Sequence, residues 1–308
     1  MLDFYKYLKE CREHHKMTQD DLVAALYSFD AKTFEHLDSV TLSRWERDNT
    51  KPNTLKQLSI IKYFQDYSGE ALPCWYKYSV EEVENLICTA GMKNLFSKSK
   101  KLILNFPSSM MQIDDLKVYP IHNTEQTHPL FELNMNMHLT HNHQFSELSI
   151  DKFETWSMHP SNLFLACEYK NSFVGLFFSV KLKPEIFEKI LSLEMKYSEI
   201  KESDFAMHDE DGSDLLLSFY AINQKVAEML FLRHYAYIIA NQRKLLEIGV
   251  STMIDEVKTT VTNMNLSLYK HIDIKDIREN KEIGVETYRQ SLHKVLATEY
   301  VTKMIFSE

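Results

Sequence analysis

Apolar residues recur at intervals of three or four through the first part of the chain, which is the spacing of amphipathic helices. This spacing predicts a first helix over Leu2–His14 and another over Thr54–Phe64. Between them, Thr18 and either Asp38 or Ser39 precede short apolar-periodic segments, and all three are residue types that cap helix starts. Residues near the start of the chain are therefore predicted to form an all-α bundle.

The segment Val40–Asn53 has two contrasting faces. Leu42 and Trp45 lie three positions apart, so they share the buried side of a helix, whereas Ser43 and Arg44 project from the other side. A helix that is apolar inside and carries small polar groups plus one Arg outside suits the major groove of DNA.

The order of these motifs resembles the lambda-repressor/Cro (XRE) family of helix-turn-helix DNA-binding domains. The resemblance covers residues 1–66 and rests on Thr-Gln-x-x-Leu at 18–22, Ser-Arg-Trp-Glu-Arg at 43–47 and Lys-Pro at 51–52. The alternative is an ordinary surface helix in which Trp45 is only a core residue.

The XRE resemblance implies a role for particular residues. Gln19 would bind a DNA phosphate, and Arg12 on the first helix would pair with Glu46. Two departures are evident, because Tyr27–Leu37 is longer than the usual turn and Asp48 stands where many members have Gly. The residues that the resemblance places at the DNA surface are Gln19, Asp38, Ser39, Val40, Ser43, Arg44, Arg47 and Lys51.

Beyond about residue 110 the pattern changes to strands mixed with helices. The predicted strands are Lys117–Pro120, Leu163–Tyr169, Phe173–Leu182, Met229–Ala240, Asn265–Lys270 and Tyr300–Phe306. The predicted helices are Val80–Phe96, Pro184–Tyr197, Gln242–Lys258 and Glu286–Leu296. The predicted fold class is therefore α+β with two domains. Residues 1–66 form an all-α helix-turn-helix domain, residues 67–109 a helical linker that either carries dimer contacts or only connects, and residues 110–308 a mixed α/β sheet domain.

The element order over residues 110–308 resembles the GNAT acyltransferase fold. In that family a long strand leads into a glycine-containing loop, whose N–H groups hold the pyrophosphate of acetyl-CoA. The best match is the segment 244–249, in which Lys244 keeps a positive charge and Gly249 keeps the second glycine. Glu247 replaces the first glycine, and at 4 Å a like-charge contact costs on the order of 4 kcal/mol in an effective dielectric near 20.

These departures predict a GNAT-like domain that senses a small molecule instead of catalysing a reaction. The family's general-acid Tyr falls on His293, which would be the catalytic residue if the chain were an enzyme. A domain of this kind would bind an apolar effector beside the long strand and would need no cofactor, whereas the enzyme alternative requires acyl-CoA. The predicted ligand-binding residues are Phe231, Tyr235, Tyr237, Lys244 and Gly249.

Charge is unevenly distributed along the chain, and this changes the expected mode of DNA binding. The net charge of the 308 residues is −9, but residues 1–64 contain ten Lys and Arg and ten Asp and Glu. The acidic excess therefore lies beyond residue 64. Affinity for DNA must come from locally placed cations and from two copies bound together, so we expect a homodimer.

The cysteine and hydropathy patterns bear on location. The four cysteines lack Cys-x-x-Cys spacing, which is typical of a reduced compartment. No segment has eighteen consecutive apolar residues or a signal-peptide layout, so the chain is predicted to be cytoplasmic and to have no membrane partner.

A group of histidines is the remaining candidate for chemistry. His138, His141 and His143 are close enough in sequence to share a metal ion with Glu132 or Glu147. The spacing matches no metal-site family, and a polar surface loop is the better interpretation, so no metal site is predicted.

Together these patterns predict a transcriptional regulator that binds double-stranded DNA and whose GNAT-like domain senses a small molecule. Two alternatives stay open. One is an active acyl-CoA-dependent N-acyltransferase tethered to DNA, and the other is a repressor whose C-terminal domain binds a protein partner.

Overall fold

A computed structural model describes residues 3–90, 92–96, 111–112, 115–121, 128–132, 148–276 and 281–306. Within these residues the chain divides into two compact units. The first unit comprises Met1–Met92, Tyr235–Arg243 and His293–Glu308, and the second comprises Lys93–His234 and Lys244–Leu292. The functional boundaries expected at residues 66 and 109 stay a prediction.

The secondary structure of the described residues is mixed. The helices are α1 (Phe4–His14), α2 (Gln19–Phe29), α3 (Ala31–Phe34), α4 (Ser39–Glu46), α5 (Thr54–Ser68), α6 (Val80–Leu86), α7 (Met92–Leu95), α8 (Ile150–Met158), α9 (Pro184–Leu191), α10 (Gln224–Ala240), α11 (Asp255–Asn263), α12 (Leu292–Leu296) and α13 (Glu299–Ile305). The strands are β1 (Leu116–Pro120), β2 (Leu163–Tyr169), β3 (Ser172–Leu182), β4 (Gly212–Ala221), β5 (Leu245–Thr252), β6 (Ser267–Asp276) and β7 (Lys281–Ser291). Among these described helices, none is long and apolar enough to cross a membrane.

The first unit is helical, as the apolar spacing predicts. Helices α1 and α5 confirm the two amphipathic segments, and α5 ends at Gly69, whose φ of +72° is the left-handed conformation that favours glycine. The predicted helix over Val80–Phe96 is interrupted after Leu86, because Cys88 donates its N–H to the carbonyl of Met304 at 2.9 Å.

The second unit contains a sheet in which the described strands have the order β1-β2-β3-β4-β5-β7-β6. The pair β4–β5 is parallel, and the other neighbouring pairs are antiparallel. The strands predicted over Leu163–Tyr169 and Phe173–Leu182 are confirmed as β2 and β3, which pair as a hairpin. Its two-residue turn, Lys170-Asn171, has φ of +50° and +62°, which matches the right-handed twist of the strands.

One face of this sheet is closed by aromatic packing. The rings of Phe164 on β2 and Phe178 on β3 stack 4.6 Å apart, and Phe131 and Phe153 pack against them. All of these side chains are almost fully buried. The mixed sheet expected from the GNAT resemblance is therefore present, although its strands are not all where the sequence pattern placed them.

Four assignments beyond residue 210 are wrong. Met229–Ala240 lies in helix α10, Gln242–Lys258 contains strand β5, Glu286–Leu296 is the end of β7 followed by α12, and Tyr300–Phe306 contains helix α13. A short run that is apolar on most sides fits a buried helix as well as a buried strand, so periodicity does not separate the two. Strand β4 was missed altogether, and it is this strand that leads into α10.

Candidate functional site

Helices α2 and α4 each begin at a side-chain cap. Thr18 and Asp21 form a reciprocal capping box, with Thr18 Oγ1 accepting from the Asp21 N–H at 3.1 Å and Asp21 Oδ2 accepting from the Thr18 N–H at 2.9 Å. Asp38 caps α4 by accepting from the Thr41 N–H at 2.7 Å. Hydrogen bonds from Thr41 lower the pKa of Asp38, and the nearby Arg44 charge adds to this effect. Both predicted caps are confirmed.

A buried ion pair fixes the inner side of α4 against α1. The Arg12 guanidinium donates from Nε and Nη2 to the Glu46 carboxylate at 2.6 and 3.0 Å, which confirms the pair that the XRE resemblance implies. Gln19 at the start of α2 donates to Glu46 Oε2 at 2.8 Å. Hydrogen bonding to Glu46 raises the pKa of Arg12. Three helices therefore meet at one carboxylate.

The opposite side of α4 faces solvent. Val40 is 57% exposed. Arg44 and Arg47 are also exposed, while Leu42 and Trp45 are buried beneath them. The remaining predicted DNA contacts are half-buried or exposed on the same unit, namely Gln19, Asp38, Ser39, Ser43 and Lys51. The two-faced helix that the sequence predicts is confirmed, and its role in DNA binding stays a prediction.

The two departures from the XRE pattern have structural explanations. The long segment Tyr27–Leu37 extends α2 to Phe29 and then forms the short helix α3, capped by Asp30. Asp48 follows the end of α4 with φ of +58°, in the left-handed region where Gly is favoured. The backbone thus keeps the conformation that a glycine would allow, and Asp tolerates it better than most residues.

The long strand predicted over residues 229–240 is wrong, because these residues are helical. The predicted role of Phe231, Tyr235 and Tyr237 in ligand binding stays a prediction. Phe231 packs with Phe177 and Phe219 at ring distances of 5.3 and 5.0 Å. Tyr235 shares a 2.6 Å hydrogen bond with Tyr300. In a helix, residues two positions apart point in nearly opposite directions, so Tyr235 and Tyr237 do not share a face as they would on a strand.

The predicted phosphate loop over residues 244–249 is also wrong, since it runs into strand β5. Lys244 pairs with Asp211 at 3.1 Å, and Glu247 pairs with Arg289 on β7. At Gly249, a Cβ atom would come within 2.6 Å of Phe187 and 2.7 Å of Leu191 on α9. Gly249 therefore allows close helix packing and does not form a loop.

His293 lies in α12 within the first unit. Its Nε2 makes a 3.0 Å hydrogen bond with the carbonyl oxygen of Gly69, and its own carbonyl oxygen accepts from Gln65 at 3.0 Å. Both bonds hold α12 against the end of α5, so this histidine has a structural partner. Of the residues considered for a metal site, His138, His141, His143 and Glu147 lie outside the described residues. Within the described part of the chain, no group of His, Cys, Asp and Glu is arranged to hold a metal ion.

A feature that sequence reasoning missed is the separation of β4 and β5. Their parallel pairing ends at Leu216 and Val250, while β4 continues to Ala221 along β3 and β5 continues to Thr252 along β7. The two strands therefore part toward their carboxyl ends, which is where ligands bind in open sheets with parallel strands. The apolar run within residues 215–220 could have revealed β4.

In the turn between β4 and α10, some backbone N–H groups already donate hydrogen bonds within the protein. Buried Asn223 accepts from the Val226 N–H at 3.0 Å, and the Ile222 N–H donates to the carbonyl of Val174 at 3.0 Å. N–H groups engaged in this way are not available to hold a phosphate.

No protein-family model matches this sequence, and no curated protein sequence matches it. Solved structures of three named enzymes are similar to part of the chain. The first is an N-acetyltransferase from Staphylococcus aureus Mu50. The matched region spans 57% of this chain and 98% of the acetyltransferase chain, with TM-score 0.39 and 10% sequence identity. NAA60 from Arabidopsis thaliana, in complex with acetyl-CoA, covers 57% and 99%, with TM-score 0.40 and 9% identity. FeeM, an N-acyl amino acid synthase from uncultured soil microbes, covers 58% and 92%, with TM-score 0.38 and 8% identity. At these values the similarity says nothing about the activity of this chain.

Proposed function

We propose that the chain is a sequence-specific regulator that binds double-stranded DNA as a homodimer through α4. The observation that carries this proposal is the division of α4 into a clamped inner face and a solvent-facing outer face. Arg12, Gln19 and Glu46 fix the helix from within. An exposed helix held this rigidly can keep its outer side chains in register with base edges.

Each outer side chain has a distinct chemical task in this proposal. Arg44 donates two hydrogen bonds to a guanine, the commonest specific contact in the major groove. Val40, whose side chain is 57% exposed, packs on a thymine methyl group. Arg47 and Lys51 contact phosphates and set the position of the protein on the duplex without reading sequence. Gln19 uses one N–H of its amide for Glu46, at 2.8 Å, and the second N–H contacts a phosphate.

The test is a set of duplexes in which each base pair of a bound sequence is replaced in turn. Arg44→Ala should lose discrimination at one position, a change of about 1–3 kcal/mol, while keeping the rest of the profile. Lys51→Ala is the matched control, because removal of a phosphate contact should weaken all duplexes alike. Identical profiles for Arg44→Ala and wild type would contradict the assignment of α4.

N-acyl transfer is a second candidate, favoured by the separation of β4 and β5. The unpaired carboxyl ends of two neighbouring parallel strands can admit an acyl thioester between them, and the start of α10 follows β4 closely. The charge of Glu247 is compatible with this function, because the residue lies on β5 and pairs with Arg289 instead of lining a phosphate loop. The engaged N–H groups of Ile222 and Val226 do argue against a pyrophosphate site. We therefore expect calorimetry with acetyl-CoA to show no micromolar binding, and such binding with turnover would favour the enzyme.

Small-molecule control of DNA binding stays part of the proposal, with a different location for the effector. In this proposal the effector binds between the carboxyl ends of β4 and β5, and not on the face predicted from Phe231, Tyr235 and Tyr237. An effector can change DNA affinity only through its different affinity for the two states of the protein, typically about 1–3 kcal/mol. A compound that raises the melting temperature without changing affinity for DNA would bind without regulating.

A further inference from the structure

Two cysteines distant in sequence lie against each other in the first unit. Cys11 is on the buried side of α1, and Cys74 follows the end of α5. Their Sγ atoms are 3.4 Å apart, although the residues are 63 positions apart in the chain. Since an S–S bond measures about 2.05 Å, the sulfur atoms need to approach by only about 1.3 Å to bond.

The backbone at Cys74 is in a conformation that disfavours most side chains. Its φ of +67° lies in the left-handed region, where a residue with a Cβ atom is held at an energetic cost. Glycine would occupy this position without strain. Cys74 occupies this position, and its Sγ atom faces the Sγ atom of Cys11.

The surroundings make the two thiols chemically unequal. Cys11 donates its S–H toward Cys74, and this hydrogen bond lowers the pKa of Cys74. Burial raises the pKa of Cys11. Cys74 is thus the more readily ionised of the pair, and the thiolate is the form that reacts with oxidants. Both residues are buried, and Cys74, at 5% exposure, is the closer of the two to solvent.

We infer that Cys11 and Cys74 form a reversible redox site for hydroperoxides. The Cys74 thiolate attacks hydrogen peroxide, the O–O bond breaks, and a sulfenic acid forms while one water is released after proton transfer. Cys11 then attacks the Cys74 sulfur, the S–S bond forms, and the sulfenic oxygen leaves as a second water. In total, two thiols and one peroxide give one disulfide and two waters.

The disulfide would join α1 to the segment after α5 and close a loop of 63 residues. A cross-link that spans this much chain restricts the unfolded state, so oxidation should raise the thermal stability of the first unit. This inference does not depend on DNA binding, because it concerns two thiols on the inner side of the helices.

The experiment treats the full-length protein with millimolar hydrogen peroxide and follows thiol content, peptide mass and melting temperature. We expect loss of two of the four thiols, a peptide pair linked through Cys11 and Cys74, and restoration by dithiothreitol. The melting temperature should rise by about 5 °C or more on oxidation.

Two variants sharpen the result. Cys74→Gly suits the left-handed backbone and should fold, yet it should show neither the linked peptide nor the oxidative rise in melting temperature. Cys167→Ser removes a buried thiol elsewhere and should respond to peroxide as wild type does. The inference is overturned if Cys88 is oxidised while Cys11 and Cys74 stay reduced, or if Cys74 proceeds to a sulfonic acid without a linked peptide.

Discussion

Replacement of Arg12 by Met tests how strongly the clamped inner face of α4 depends on its ion pair. The side chain of Glu46 is 4% exposed and that of Arg12 is 13% exposed. Without Arg12, the Glu46 carboxylate loses its bonds at 2.6 and 3.0 Å and keeps the one from Gln19 at 2.8 Å. A buried charge left in this state costs about 3–5 kcal/mol. Because some solvent reaches Arg12, we expect a loss near the lower end, about 3 kcal/mol.

The double variant Arg12→Met/Glu46→Leu provides the matched control. It removes both charges and fills the same space, so its stability should lie within about 1 kcal/mol of wild type. The assay is equilibrium urea unfolding at pH 7, followed by tryptophan fluorescence in a Trp156→Phe background, because Trp45 and Trp75 belong to the first unit and Trp156 belongs to the second. A stabilising role for the ion pair is refuted if Arg12→Met loses less than about 1 kcal/mol, or if the losses of the single variants Arg12→Met and Glu46→Leu simply add in the double variant.

Three further predictions follow from local geometry. Asp48→Gly should stabilise the first unit by up to about 1 kcal/mol in the same urea assay, because the φ of +58° suits glycine, whereas Asp48→Ala should give no gain. Gly249→Ala should destabilise the second unit by about 1–3 kcal/mol, since the new Cβ would lie 2.6 Å from Phe187; Phe187→Leu should partly restore stability. Hydrogen bonds lower the pKa of the capping residues Asp21 and Asp38 in the folded state. Their stabilisation is therefore present above the unfolded pKa near 4 and is lost as the pH falls through the folded value, so an Asp21→Asn/Asp38→Asn variant should show a weaker loss of stability on acidification.

The first unit was accessible to sequence reasoning because its information is local. Thr18 and Asp38 mark helix starts by residue type, and Leu42 and Trp45 mark a buried face by spacing. Even the Arg12–Glu46 pair followed from the XRE resemblance, and the structure confirms it. What the pattern did not show is that α12 and α13 join this unit, since a contact such as Gln65 with His293 spans 228 positions.

The second unit was harder because its apolar segments lack a decisive period. Met229–Ala240 is apolar on most sides, so the same residues suit a buried strand or a buried helix. A strand at this position leaves no place for β4 and puts Lys244–Gly249 in a loop, whereas residues 245–249 lie in β5. The separation of β4 and β5 depends on hydrogen-bond pairing between distant segments, which no local pattern encodes.

The most direct test of the central claim is selection of bound duplexes from a pool of random double-stranded DNA, with the full-length protein at physiological salt. The proposal predicts enrichment of an inverted repeat whose half-sites lie about one helical turn apart, as a two-fold dimer with one α4 in each major groove requires. Arg44→Ala in a parallel selection should lose one conserved position in each half-site. A wild-type pool that shows no sequence enrichment over the starting DNA would contradict the claim that α4 reads base sequence.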